Sequence, residues 1–145
     1  MRIRRARAAD VAAIHALIAR YSAEGLLLPR EESDIRAHIG RFVVLAEKEK
    51  LLGCVALEPY GGALAEIRSL AVDGETRGRG LGARLVQAAL AEARKRGHAR
   101  VFAVTHAPEF FRRHGFVSTS RHALPEKTER DCKGCPKQRG CSLAA

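Results

Sequence analysis

Tryptophan is absent from this 145-residue chain, and aromatic residues make up only 5% of it. Few platforms remain on which bases could stack, and no basic run is interleaved with aromatics, so a nucleic-acid partner is not expected. Long apolar runs are missing too. The charged start from Met1 to Arg7 has no apolar segment behind it, so neither a membrane span nor a secretory signal is expected, and the reading is a soluble cytoplasmic protein. Acidic residues are the scarcer charge, with 16 Asp and Glu against 26 Lys and Arg, for a net +10. Partners should therefore be negative, whether nucleic acid, anionic lipid, a cofactor with several phosphates or an acidic metabolite, and a phosphorylated cofactor ranks above nucleic acid. A surface kept basic for solubility accounts for part of the excess.

What is present suits one compact domain: 46% of residues are apolar, enough for a core without disulfide staples. Ile3 to Ala8 reads as a first strand. Asp10 can cap or charge-match the start of a helix whose apolar face is Val11, Ile14, Leu17, Ile18 and Tyr21, with Gly25 ending it. The loop from Gly25 through Leu26, Leu27, Leu28 and Pro29 to Arg30 is apolar for a connection, which implies that something packs on it. Ile35, Ile39 and Phe42 then have the spacing of a second helix starting near Glu31. Phe42 to Glu47, Leu51 to Tyr60 and Ala63 to Val72 read as a three-stranded meander, turning at Lys48 to Lys50 and at Gly61-Gly62. A long helix follows Gly82, with Leu81, Leu85, Ala88, Ala89 and Ala93 on one face and Gly97 at its end. Arg100 to Thr105 is a strand, Pro108 lies in the first turn of a short helix reaching Gly115, and Phe116 to Leu124 is a last strand. Residues 1–124 form the domain, and 125–145 form a cysteine-containing tail without apolar periodicity, packed on that domain or extending from it. Strand-to-helix passages in the second half imply at least one parallel pairing, so the class is mixed α/β.

Between the strand ending at Val72 and the long helix lies Arg77-Gly78-Arg79-Gly80-Leu81-Gly82. Amides in a helix's first turn lack partners and carry partial positive charge, so such a junction suits an anion. Its glycines let backbone approach a bulky diphosphate, and Arg77 and Arg79 add charge. A plain strand-to-helix connection accounts equally well for the glycines alone. The Arg77-x-x-Gly80-x-Gly82 pattern, the preceding Glu66-Ile-Arg-Ser-Leu-Ala-Val72 and the later Phe110-Phe-Arg-Arg-His-Gly-Phe116 together resemble the GCN5-related N-acetyltransferase (GNAT) family over nearly the whole chain.

That resemblance implies the family's acyl-CoA N-acyltransferase fold, with a mixed, mostly antiparallel sheet and helices on both faces. It implies acetyl-CoA as cofactor, in a cleft where the strand ending near Val72 splays from the one beginning near Arg100. Leu70, Ala71 and Val72 would pair with the pantetheine arm, the amides from Arg77 to Ala83 with the diphosphate, and Phe110 and Phe111 would lie along the remainder. Many members carry a tyrosine where Phe111 stands here, so no hydroxyl protonates the departing thiolate. A thiol of pKa near 8.5 leaves about 1.5 units uphill of neutral pH, roughly 2 kcal/mol, which solvent protonation can absorb. His114 reads as a packing or capping residue and is given no role.

The Leu26-Leu-Leu-Pro-Arg30 loop, Glu109 to Phe116, and the tail with Leu124-Pro-Glu-Lys127 and Asp131-Cys-x-x-Cys-Pro-Lys137 look like the short bacterial N-acetylglutamate synthases. This implies L-glutamate as the small-molecule acceptor, and it leaves a homodimer open. Another small amine or a protein N-terminus is the alternative acceptor, and a cofactor- or nucleic-acid-binding regulatory module is the alternative of another class. A dicarboxylate needs cationic partners, so Arg30 and Arg68 are the substrate-binding candidates, with Lys127 third; each also fits a solvated surface residue. Glu66 shares a strand face with Arg68 and could take the acceptor's proton through a water, or simply pair with that arginine.

Cys54 lies within a strand and reads as a small buried apolar residue. Cys132 and Cys135 have metal-ligand spacing, and Cys141 follows, but three thiols fall one short of a closed zinc site. No metal is expected unless Cys54 or His122 completes the set; a redox pair or free thiols in a reducing cytosol are the stronger readings.

Overall fold

Val11, Ile14, Leu17, Ile18 and Tyr21 recur at helical spacing, and in the computed structural model they form the buried stripe of helix α1 (Val11–Ala23). The structure describes residues 1–61, 63–76, 79–119 and 143–144. Helix α1 stops where Gly25 turns left-handed at φ +74°. The Gly25 amide donates to the Ser22 carbonyl and the Leu26 amide to that of Tyr21, each at 3.0 Å, so the last carbonyls of the helix are satisfied. Asp10 does not cap α1 with its side chain. Its carboxylate accepts the Arg7 amide at 2.7 Å and both arms of the Arg4 guanidinium at 2.8 and 3.0 Å. These bonds tie a 3₁₀ turn (Ala8–Asp10) to strand β1 (Arg2–Arg5), which is why the first strand is shorter than the expected Ile3 to Ala8.

Helix α2 (Glu32–Ala37) is also short and buries only Ile35. Phe42, expected at the end of its apolar face, instead opens strand β2 (Phe42–Glu47) after a 3₁₀ turn (Ile39–Arg41). Strands β3 (Lys50–Tyr60) and β4 (Leu64–Val72) complete the expected meander, and helix α3 (Leu81–Lys95) crosses to β5 (Arg100–Val104). After the short helix α4 (Pro108–Arg112) come β6 (Ser118–Thr119) and β7 (Leu143–Ala144). The sheet runs β1-β2-β3-β4-β5-β7-β6. Among the described pairings only β4 with β5 is parallel, as a strand-helix-strand crossover requires. The end of the tail thus returns to the sheet as β7, between β5 and β6, through a strand too short to show a period in sequence.

Alternation along the strands sends side chains to two cores. Phe42, Val44, Cys54, Ala56 and Ala71 pack beneath α1 and α2. Val43, Leu45, Val55, Leu57, Ala65 and Ile67 pack beneath α3, joined by Phe111 and Phe116. Each fully buried branched or aromatic side chain contributes about 1.5–3 kcal/mol, so both helical layers are fixed to the sheet. The β3–β4 register changes between Ala56↔Arg68 and Cys54↔Ala71, so that Ser69 and Leu70 together stand opposite Val55. Ser69 sits at φ +54° in this bulge. The extra residue reverses the alternation, putting Leu70 and Val72 on the α3 side and Ala71 under α1.

Candidate active site

The parallel β4–β5 ladder runs from Leu64↔Arg100 to Ile67↔Ala103. Past that rung β4 follows β3 to Val72, while Val104 of β5 pairs with β7. Leu70, Ala71 and Val72 therefore lie beyond the last described β4–β5 rung, on the part of β4 that pairs with β3 alone among the described pairings. The turn that follows is pinned. The Asp73 amide donates to the Leu52 carbonyl at 2.8 Å, and the Asp73 carboxylate accepts the Glu75 amide at 3.0 Å. Arg20 and Lys50 each approach that carboxylate to 3.6 Å. The Glu75 amide first, then these cations, hold the Asp73 carboxyl below the usual carboxylate range against the opposing effect of burial.

Further along the chain, α3 begins after Gly80, which is left-handed at φ +71° and has no side chain to cap the helix. The amides of Leu81, Gly82 and Ala83 lie in its first turn, where a helix has no internal acceptors, and a 15-residue helix stands behind them. A Cβ at Gly82 would stand in ordinary contact with the Phe110 ring, at 3.4 Å. Phe110 borders this loop. Phe111 lies deeper, 5% exposed, edge-on to Phe110 and Phe116 in the core under α3. Arg79 stands at the surface, 4.0 Å from the Glu47 carboxylate. Backbone amides at a helix start, with an aromatic wall, suit a diphosphate. Arg77 and Gly78 lie outside the described residues, as do Lys127, His122, Cys132, Cys135 and Cys141. Among the described residues no group of His, Cys, Asp or Glu could hold a metal ion.

The other face of the sheet carries the remaining candidates. Phe42, Ala56 and Arg68 form one register row across β2, β3 and β4. Arg30 lies over this row, its guanidinium carbon 5.0 Å from the centre of the Phe42 ring. Its Nε donates to Asp34 at 2.8 Å. Its Nη1 is buried with no hydrogen-bond partner among the described residues, and the side chain is only 10% exposed. Arg30 is the chief reason the Asp34 carboxyl is held below the usual range, with His38 adding to it. Two strand spacings separate Phe42 from Arg68, about 10 Å, so the two arginines flank one patch of this face. The loop between them and α1 presents Leu26 and Leu28 to solvent, at 46% and 56% exposure, while Leu27 packs inward.

The next row joins Glu58, Glu66 and Phe102. Glu66 is 3% exposed. Its Oε1 accepts the Arg68 Nε at 2.6 Å and the Tyr60 hydroxyl at 2.8 Å, and Arg68 Nη2 donates to that hydroxyl at 2.6 Å. Glu58, directly opposite and equally buried, takes Arg41 at 2.9 Å. Facing carboxylates repel, and each is matched by its own arginine. Sequence reasoning paired Glu66 with Arg68 but missed Tyr60. The signal was the Gly61-Gly62 turn: with Tyr60 opposite Leu64, Glu66 becomes its diagonal neighbour. His114 packs edge-on to Phe110 with 5.0 Å between ring centres, and its Nδ1 lies 3.3 Å from Gln87. Cys54 is buried under α1, donates to the Ser69 carbonyl at 3.4 Å, and has its thiol pushed up to about 12 by burial.

Residues 10–116 match the acetyltransferase (GNAT) family. An uncharacterized N-acetyltransferase of Chlorobaculum tepidum is 40% identical over 143 residues, 99% of this chain and 92% of that protein. Among solved structures, the N-acetylglutamate synthase of Neisseria gonorrhoeae complexed with coenzyme A and N-acetyl-glutamate is similar with a TM-score of 0.91 and 32% identity. That likeness covers 99% of this chain but 34% of the gonococcal one, so the chain spans about a third of its length. A Mycobacterium tuberculosis protein in complex with CoA has a TM-score of 0.84 at 30% identity, with 99% of this chain and 97% of that one covered.

Proposed function

The chain belongs to the GNAT acetyltransferase family, and on that premise we propose that it moves the acetyl group of acetyl-CoA to the α-amino group of L-glutamate, the first step of arginine biosynthesis. The observation that carries the choice of acceptor is the buried Nη1 of Arg30, which has no hydrogen-bond partner among the described residues. Leaving a polar group buried and unpaired costs about 1–3 kcal/mol, and more for a charged one. A carboxylate arriving at this guanidinium removes that cost, and two arginines on one patch match the two carboxylates of glutamate. Lys127 is a third partner in this reading.

In the cleft, the backbone of Leu70, Ala71 and Val72 offers strand-type hydrogen bonds to the amides of the pantetheine arm. The amides from Arg77 to Ala83, with Arg77, Gly78, Arg79, Gly80, Leu81 and Gly82 forming the turn, hold the diphosphate, and Phe110 walls the arm with Phe111 behind it. Acetyl-CoA supplies an activated thioester carbonyl. Glu66 takes the proton of the acceptor's ammonium through a water, and Arg68 and Tyr60 fix its carboxylate for that task. Arg68 therefore both orients the base and helps to attract the anionic acceptor.

Incubation with acetyl-CoA and glutamate, followed by mass spectrometry, tests the proposal. N-acetylglutamate should accumulate in step with released thiol. Thiol release that does not depend on glutamate would refute the acceptor assignment.

A further inference from the structure

Tyr21 stands where the two binding segments meet. It is the last buried residue of the α1 stripe and is 7% exposed. Its carbonyl accepts the amide of Leu26 at 3.0 Å, fixing the start of the loop that delivers Arg30. Its hydroxyl donates to the carbonyl of Val72, the last residue of β4. The preceding residue, Arg20, reaches to 3.6 Å from the carboxylate of Asp73, the next residue along the cofactor side. The last turn of α1 thus holds the end of the cofactor strand through side chains and the start of the acceptor loop through backbone.

We propose that Tyr21 is a positioning residue coupling the two sites, so that a ligand on the Leu70 to Val72 backbone orders the Gly25 to Arg30 loop, and an acceptor on Arg30 strengthens cofactor binding in return. This rests on the reading that these segments hold the cofactor and the acceptor respectively. Bonds formed to β4 in the cleft fix the Val72 peptide. The phenol follows its acceptor, the buried ring carries the α1 terminus with it, and the Leu26 amide moves with the Tyr21 carbonyl. Linkage makes the effect reciprocal, and one hydrogen bond of ordinary strength supports a coupling of about threefold to tenfold.

Tyr21→Phe deletes the hydroxyl and keeps the ring in the core. Amide hydrogen exchange across residues 24–30 is measured by mass spectrometry with and without coenzyme A, with calorimetry confirming that coenzyme A is bound. In the wild type, coenzyme A should slow exchange of this segment about threefold to tenfold. In Tyr21→Phe, coenzyme A should still bind, and most of that slowing should vanish. Should Tyr21→Phe fold poorly, Arg20→Gln leaves the core intact and should lose part of the same protection. Coenzyme A bound to the wild type without slowing of 24–30, or equal slowing in both variants, overturns the coupling and leaves the acceptor reading standing. Failure of the wild type to bind coenzyme A overturns both.

Discussion

Replacing Arg30 by lysine keeps the charge and changes the geometry. The arginine directs Nε to Asp34 at 2.8 Å, places its guanidinium carbon over the Phe42 ring at 5.0 Å from the centroid and buries Nη1 with no partner among the described residues. A lysine has one nitrogen for these tasks, so pairing with Asp34 removes it from the acceptor, and it cannot stack as a planar cation. The loss is one charge-assisted hydrogen bond to substrate, about 1.5–3 kcal/mol, hence roughly 10- to 150-fold in kcat/KM for glutamate. The deficit should fall chiefly on KM for glutamate, with KM for acetyl-CoA changing by no more than the coupling of about threefold to tenfold between the two segments, because Arg30 lies on the α1 side of the sheet and the phosphate turn leads into α3. Thiol release at saturating acetyl-CoA across a glutamate series reads this directly, and the melting temperature reports separately any change in the pairing with Asp34. A kcat/KM for glutamate within about threefold of wild type would refute the assignment of Nη1 to substrate.

Glu66→Gln should lower turnover mainly at low pH, where free amine is scarce and a protein base matters most; a pH–rate profile of unchanged shape would remove Glu66 from proton transfer. Asp10, Asp34 and Asp73 are held below the usual carboxylate range, chiefly by Arg4, Arg30 and the Glu75 amide respectively. A carboxyl depressed in the folded state stabilises it above the unfolded pKa of about 4 and loses that contribution as pH falls further. Thermal melts should therefore be level above about pH 5 and decline below about pH 4; a melting temperature that does not fall on acidification would contradict these pairings. With the tail cysteines changed to serine, Cys54, whose thiol burial raises to about 12, should react with a disulfide reagent no faster than the protein unfolds. Labelling within the mixing time would place it elsewhere.

The layer order was legible because its signals are long. The α1 stripe and the α3 face both reappear as buried rows, and the meander follows from three apolar runs punctuated by turn residues. Short elements were less legible. Phe42 suited a helix of i, i+4, i+7 spacing, but the 3₁₀ turn before it redirects the chain, and its register with Ala56 decides the matter. Asp10 was placed correctly as a helix-start residue, yet its carboxylate serves the preceding turn because Arg4 lies within reach. The bulge at Ser69 left no mark in the sequence, since nothing about a serine announces a positive φ. Arg30 and Arg68 could be named as cations, but their common face depends on two successive strand registers. Tyr60 needed the hairpin register as well.

Acceptor preference is the property that decides the function. Purified protein, acetyl-CoA and a panel of amino acids in a thiol-release assay should give the highest kcat/KM with glutamate, reduced by Arg30→Lys. Glutamate standing no higher than glycine or lysine would contradict it.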